Sequence, residues 1–258
     1  MYHAVTHTPT PSIRALSVPP ETFADQMWLL AKRGFTPVTT ARLAAAWRGG
    51  PPLPHRPVLI TFDDGYQGVH HYALPVLREF GFAATVYVTT GWLRGRHEIC
   101  GAALDTMLDW EEVRELAAAG AEIGGHTHSH PQMDQLPDSE LEYEVQRCRE
   151  IIAERLGSPP ESFAYPYGYS SRRVRQAVRT AGFAQSVAVG NALADPRQGP
   201  FALRRVTVRR GTRPEELARL AEGRAVGRTF ATDRALTKGY TLVRRSRWLI
   251  RKGAGADV

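Results

Sequence analysis

The stretch Pro57-Val58-Leu59-Ile60-Thr61-Phe62-Asp63-Asp64-Gly65 decides how the chain is read. Its first six residues form a short, nearly continuous apolar run, which suits a strand buried on both faces of a parallel sheet. Two carboxylates follow at once. Charged groups directly behind a buried strand are costly unless paired, and adjacent carboxylates repel each other. A bound cation would relieve both problems. Asp-Asp-Gly is also good turn chemistry, so this motif alone supports a plain turn as well as a site.

The segments on either side alternate between helical and strand patterns. Pro20 to Lys32 carries Phe23, Met27, Leu30 and Ala31 at helical spacing and stops at Gly34. A second short helix is expected over Thr40–Trp47. Beyond Gly65 come a helix over about 67–80, a strand over Ala83–Val88 and a helix opened by Asp109. A strand over Ala121–Gly124 and a helix over Ser139–Leu156 follow, then a strand end at Phe163–Tyr165 and a helix over Ser170–Ala181. Strands over Phe183–Val189 and Leu203–Val208 precede a last body helix over Pro214–Ala221. This α/β alternation implies parallel strands with right-handed crossovers, whose C-terminal ends carry the site. Periodicity does not separate an open sheet from a barrel.

Three expected strand ends carry polar or aromatic clusters: Asp63-Asp64-Gly65, His126-Thr127-His128-Ser129-His130 and Tyr165-Pro166-Tyr167-Gly168. His126 and His130 stand four apart, so a helical or turn geometry points both rings at one place. Two neutral imidazoles and a carboxylate, Asp64, are ordinary zinc ligands that leave room for water. A solvated histidine cluster is the bland alternative. The same ligand set suits a non-haem iron oxygenase, but those sites sit on all-β double sheets, which the α/β alternation contradicts.

The 258 residues are 43% hydrophobic and 23% charged, which excludes wholesale disorder, and no run of 18 apolar residues occurs. Residues 224–258 hold nine Lys/Arg and two acids, the whole net charge of +7, and the body is neutral. A nucleic-acid-binding body is therefore disfavoured. The tail mixes Tyr240, Leu242, Val243, Trp248, Leu249 and Ile250 with arginine. It reads either as a solvated extension or as a segment making peripheral contact with an anionic membrane. No signal peptide is visible, which points to a cytoplasmic or membrane-peripheral protein as written. Met1-Tyr2-His3-Ala4-Val5 nevertheless reads like the end of a strand, which leaves open a start upstream. Cys100 and Cys148 are too few for a disulfide scaffold.

Thr61-Phe62-Asp63-Asp64-Gly65 followed by His126-Thr-x-x-His130-Pro131 resembles the first two motifs of the polysaccharide deacetylase family, the NodB-homology or carbohydrate esterase family 4 group. Phe163-Ala164-Tyr165-Pro166-Tyr167-Gly168 resembles the third motif. The opening Met1–Val5 looks like the first strand of the poly-N-acetylglucosamine deacetylase branch. The resemblance covers about residues 1–222; residues 1–223 are expected as a single NodB-homology domain, with 224–258 as a basic extension. It implies a deformed (β/α) barrel and metal-dependent removal of N-acetyl groups from an acetylated glycan. Asp64, His126 and His130 resemble the ligands of a divalent metal, Zn²⁺ by donor type. Asp63 resembles the general base, and the Tyr167 backbone N–H an oxyanion donor.

The sequence departs from the family twice. Ala164 stands where the family usually has the arginine that orients the base, and Arg204 or Arg205 is expected to supply that charge. No histidine follows His130, so the family's late general acid is missing, and His3 is the candidate replacement, with an unperturbed pKa of about 6.5. His128 is expected to point away, and His70 and His71 to be peripheral. Trp92, Trp110, Tyr66 and Tyr169 fit a sugar groove or simple packing equally well. O-deacetylation, hydrolysis of another small amide, and a carbohydrate-binding pseudoenzyme remain alternatives.

Overall fold

In a computed structural model the chain is described over residues 1–95 and 100–254. Helix α1 (Pro20–Lys32) starts with proline in its first turn, and α2 (Thr40–Trp47) is capped by the Thr39 hydroxyl, which accepts from the Arg42 N–H. Between them, β1 (Thr36–Pro37) pairs in parallel with β2 (Pro57–Val58).

The run expected as one strand, Pro57 to Phe62, is two. After β2 the chain passes Leu59 and Ile60 and enters a different sheet as β3 (Thr61–Phe62), which pairs with β4 (Thr85–Val88). Exchange of partners lets the chain curl where a single straight strand would flatten the sheet. The helical stretch expected over 67–80 also divides, into a π-helical turn over Val69–Ala73 and α3 (Leu74–Glu79).

Strands β5 (Glu122–Gly125), β6 (Ser162–Ala164), β7 (Gln185–Val189) and β8 (Leu203–Arg205) complete a six-stranded parallel sheet in order β3 to β8. Helices α4 (Trp110–Ala118), α5 (Asp138–Leu156), α6 (Arg172–Thr180) and α7 (Pro214–Ala221) cover its outside. Asp109 opens α4 with the expected cap. Its carboxylate accepts from the Glu112 N–H while the Glu112 side chain accepts from the Asp109 N–H.

The gap between the first and last strands is filled by the chain's opening residues. The Tyr2 N–H donates to Thr61 O at 2.7 Å, the Asp63 N–H to Tyr2 O at 3.0 Å, and the Val208 N–H to Met1 O at 2.9 Å. The sheet is thereby curled into a deformed barrel. Strand alternation divides its two faces. Phe62, Val86, Val88 and Ile123 face the outer helices, whereas Tyr87, Ala164, Val187 and Leu203 pack inside with Leu59.

The basic extension continues as helices α8 (Val226–Thr229) and α9 (Ala231–Ala254). Val226 and Phe230 pack with Leu220 of α7. Arg209 pairs with Asp233 at 2.9 Å, and Arg244 forms a buried pair with Asp134. Among the described residues no helix is long and apolar enough to cross a membrane. Cys100 and Cys148 do not form a disulfide.

Gly124 is required by the barrel interior: a Cβ there would lie 2.5 Å from the Tyr87 ring and 2.9 Å from Ser162 O. Gly124→Ala is expected to lose about 1–3 kcal/mol through overpacking. The measurement is the urea midpoint at unchanged m.

Candidate active site

Three neighbouring parts of the sheet deliver their chemistry to one end, as parallel strands do. Asp63 and Asp64 follow β3, His126–His130 follow β5, and Tyr165–Tyr169 follow β6. Asp64 Oδ1 lies 3.2 Å from His126 Nε2 and 3.3 Å from His130 Nε2. Among the described residues, Asp64, His126 and His130 form one of two groups able to hold a metal, and the more buried one.

The hydrogen bonding shows why these atoms suit a cation. The second ring nitrogen of His126, Nδ1, lies 2.7 Å from Ala164 O and donates to it, which turns the Nε2 lone pair towards Asp64. Asp64 Oδ1 is itself buried without a well-formed hydrogen bond among the described residues. An imidazole lone pair and a carboxylate oxygen in contact repel unless positive charge lies between them. Burial works against charging His126, yet Asp64 and Asp63 outweigh it and raise its pKa. Burial also opposes the Asp64 carboxylate, but the two imidazoles hold its pKa well below the ordinary value. A divalent cation meets the demand of all three groups, and the donor set is one that zinc accepts.

Local backbone bending aims these side chains. Asp64, Thr127, His130 and Tyr167 all have left-handed backbone, with φ of 74°, 65°, 62° and 58°. Such conformations cost on the order of 1–3 kcal/mol each and persist where the surroundings fix them. The Thr89 N–H donates to Asp64 O at 3.2 Å, and the His130 N–H to Thr127 Oγ1 at 3.1 Å. Glu144 of α5 reaches under the histidine turn. It accepts from the His128 N–H at 2.9 Å and the Ser129 N–H at 2.8 Å, and also from the Ser129 hydroxyl.

Asp63 is held apart from the triad by Arg205. The guanidinium forms a two-pronged pair with it, Nη1 to Oδ1 at 2.6 Å and Nη2 to Oδ2 at 2.7 Å, and Nη1 also donates to Thr61 Oγ1 at 3.1 Å. Burial would raise the Asp63 pKa, but Arg205 overrides it and keeps the group a carboxylate. Arg204, the other residue considered for this task, is exposed and points away.

His3 is brought to the same place. Asp64, Asp63, Arg205 and His126 all act on it, and among the described residues its buried Nδ1 has no hydrogen-bond partner. Its pKa is not the ordinary one expected from sequence. Burial pushes it down, more than Asp64 and Asp63 push it up.

The remaining candidates separate cleanly. His128 turns to Thr90, with Nδ1 2.9 Å from the hydroxyl. His70 and His71 pair with Glu115 and Glu112 on α4, where Glu112 also meets Arg94. Trp110 belongs to the main core. Trp92 and Tyr167 flank the His130 ring, with centroids at 4.7 and 4.8 Å. The Tyr66 hydroxyl is buried and carries the influence of Asp64, which with burial raises its pKa.

Sequence reading missed Glu144, although a signal existed. It stands on the buried stripe of α5 with Leu141, Val145, Cys148, Ile151 and Ile152. A carboxylate there needs a partner. The role of Ala164 O had no side-chain signal.

A parallel, curled α/β sheet with a buried Asp-His-His triad defines a barrel protein with a candidate metal-dependent hydrolytic centre. The polysaccharide deacetylase family profile matches residues 50–186, and the chain belongs to that family. It is 26% identical over 211 residues to YxkH of Bacillus subtilis, whose name assigns it to the polysaccharide deacetylases, covering 82% of this chain and 71% of that one. It is 33% identical over 125 residues to the Escherichia coli K12 poly-beta-1,6-N-acetyl-D-glucosamine N-deacetylase, covering 45% of this chain and only 19% of the enzyme. The solved structure of IcaB from Ammonifex degensii superposes with a TM-score of 0.71 at 26% identity, over 86% of this chain and 93% of IcaB.

Glu144→Ala would leave the His128 and Ser129 amides without their acceptor, a loss of about 1–3 kcal/mol. With the turn between the two histidines less firmly held, affinity for a divalent cation is expected to fall about 10–100-fold, read with added zinc by competition with a chelating dye.

Proposed function

We propose that the chain is a metal-dependent N-deacetylase of an acetylated glycan. The observation that carries this reading is the division of labour between two adjacent carboxylates. Asp64 faces two imidazoles, and Asp63 is locked by Arg205 a residue away. Paired titratable groups with different surroundings take different roles.

Asp64, His126 and His130 would hold the cation, zinc by donor type. Such an ion supplies Lewis acidity, polarising an acyl oxygen and lowering the pKa of water to about 7. Asp63, kept ionised by Arg205, accepts the proton that water loses as its oxygen adds to the acetyl carbon. The Tyr167 amide, turned by its left-handed backbone, donates to the carbonyl oxygen as negative charge develops there. When the C–N bond breaks, the amine nitrogen needs a proton. His3 stands beside Asp63 with a vacant hydrogen-bonding nitrogen and would pass that proton on. Because burial favours its neutral form, the proton it delivers comes from the same turnover.

The E. coli relative, by name, acts on poly-N-acetylglucosamine, which supports an N-acetyl substrate over an O-acetyl one.

Acetate release from a panel of N-acetyl and O-acetyl glycans, by metal-stripped and zinc-restored protein, tests the reading. Activity is expected only with metal and chiefly on N-acetyl substrates. Asp63→Asn is expected to retain zinc by elemental analysis and lose about 10²–10⁴-fold in turnover. Near wild-type activity of that variant would assign the base elsewhere.

For His3, the comparison is between leaving groups. His3→Ala is expected to slow an N-acetyl substrate far more than an activated acetyl ester, whose leaving group needs no proton. Equal losses on both would make His3 a packing residue.

A further inference from the structure

Between α6, the C-terminal end of β7, β8 with the residues leading into it, and α9 lies a cavity of about 850 Å³. That is within the ~300–1,000 Å³ of small-molecule sites. Six arginines line it: Arg172, Arg173 and Arg175 from α6, Arg204 from β8, and Arg234 and Arg244 from α9. The carboxylate on its wall, Asp134, is spent on Arg244. Arg173 pairs with the exposed Asp138. Arg175 donates to the Ser170 hydroxyl and Arg234 to Gly227 O. Among the described residues Arg172, Arg175, Arg204 and Arg234 have no carboxylate partner.

So many uncompensated guanidinium groups around one hollow repel one another. Their placement makes this worse. Arg172, Arg173 and Arg175 occupy the first turn of α6, which holds no acid, at the positive end of the helix dipole. A chain selected for stability alone would put acids there. An anion in the hollow converts each of these unfavourable terms into a favourable one, and planar guanidinium forks match phosphate oxygens two at a time.

We propose that this cavity is a phosphate-binding site for the phosphorylated end of the acetylated sugar substrate. Gly168 and Tyr169, directly after Tyr167, form part of its wall, so the loop that contacts His130 also borders the cavity. Arg204 and Arg205 are neighbours on β8, one serving the cavity and the other serving Asp63. Residues of α9 close the far side, where Arg244 lies over the Tyr169 ring at 3.7 Å. The basic extension is therefore part of the site's wall, and its charge has a task on the protein itself. This assignment of substrate class rests on the deacetylase reading.

The test uses the zinc-restored full chain. By calorimetry, N-acetylglucosamine 1-phosphate is expected to bind more tightly than unphosphorylated N-acetylglucosamine. The exposed double variant Arg172→Gln/Arg204→Gln is expected to weaken that binding about tenfold or more. The corresponding double lysine variant keeps the charge and restores part of it. In turnover, the glutamine variant raises KM for the sugar phosphate and leaves acetate release from a neutral N-acetylglucosamine tetramer unchanged. The same sugar phosphate on a polyprenyl chain in detergent separates a lipid-borne from a soluble phosphate, and arginine-dependent binding of either supports the site. Equal binding of phosphorylated and neutral sugars, or wild-type affinity in the glutamine variant, overturns it. Arginine-dependent binding without acetate release from any glycan would leave the cavity assigned and overturn the deacetylase reading instead.

Discussion

The buried pair of Asp63 and Arg205 ties the two ends of the sheet together. Asp63 follows β3 and Arg205 ends β8, so their contact spans the gap that the opening residues Met1 and Tyr2 also fill. Both side chains are almost wholly buried. A buried ion pair is not in itself a strong source of stability, because desolvation offsets the attraction, but losing one partner leaves an uncompensated charge. Here two-pronged geometry and the further bond to Thr61 engage both terminal nitrogens of the guanidinium, while its Nε is buried without a hydrogen bond among the described residues. The same contact fixes the protonation state of Asp63, so closure of the barrel and preparation of its chemistry share one interaction.

That constraint explains how two adjacent aspartates avoid each other. Successive residues leaving a strand point to opposite sides, and the left-handed backbone at Asp64 turns it further away. Asp63 is neutralised from within by Arg205, whereas Asp64 faces imidazoles that need a positive charge. Strained backbone recurs at Thr127, His130 and Tyr167, each on a loop at the same end of the sheet. Glu144 and Thr127 hold the histidine bends by hydrogen bonds and Thr89 holds the one at Asp64, so the outer helix α5 is part of the site although none of its side chains need touch a substrate. Tyr167, flanking His130 on the exposed side, links this centre to the segment that borders the arginine-lined cavity.

Much of this was legible in residues 57–65 and 126–131. An apolar run ending in two acids, a histidine pair four apart and alternation on both sides point to a parallel α/β protein with a cation site at its strand ends. These are local properties: period, spacing and charge are written along the chain. The starts of α1, α2, α4 and α7 followed for the same reason, since caps and first-turn prolines are local chemistry.

Other features are matters of distance in space. The division of Pro57–Phe62 between two sheets depends on partners at Thr36 and Thr85, which no window around residue 60 contains. The preference for Arg205 over Arg204 is a matter of which face of β8 looks inward. The lowered pKa of His3 comes from burial that its own neighbours in sequence do not impose. The chemistry available to the chain was set by its sequence: two acids, three histidines and an arginine near the end of the body. Which acid meets which base was decided only by the tertiary structure, because curling of the sheet brings residue 205 to residue 63 and residue 3 to both.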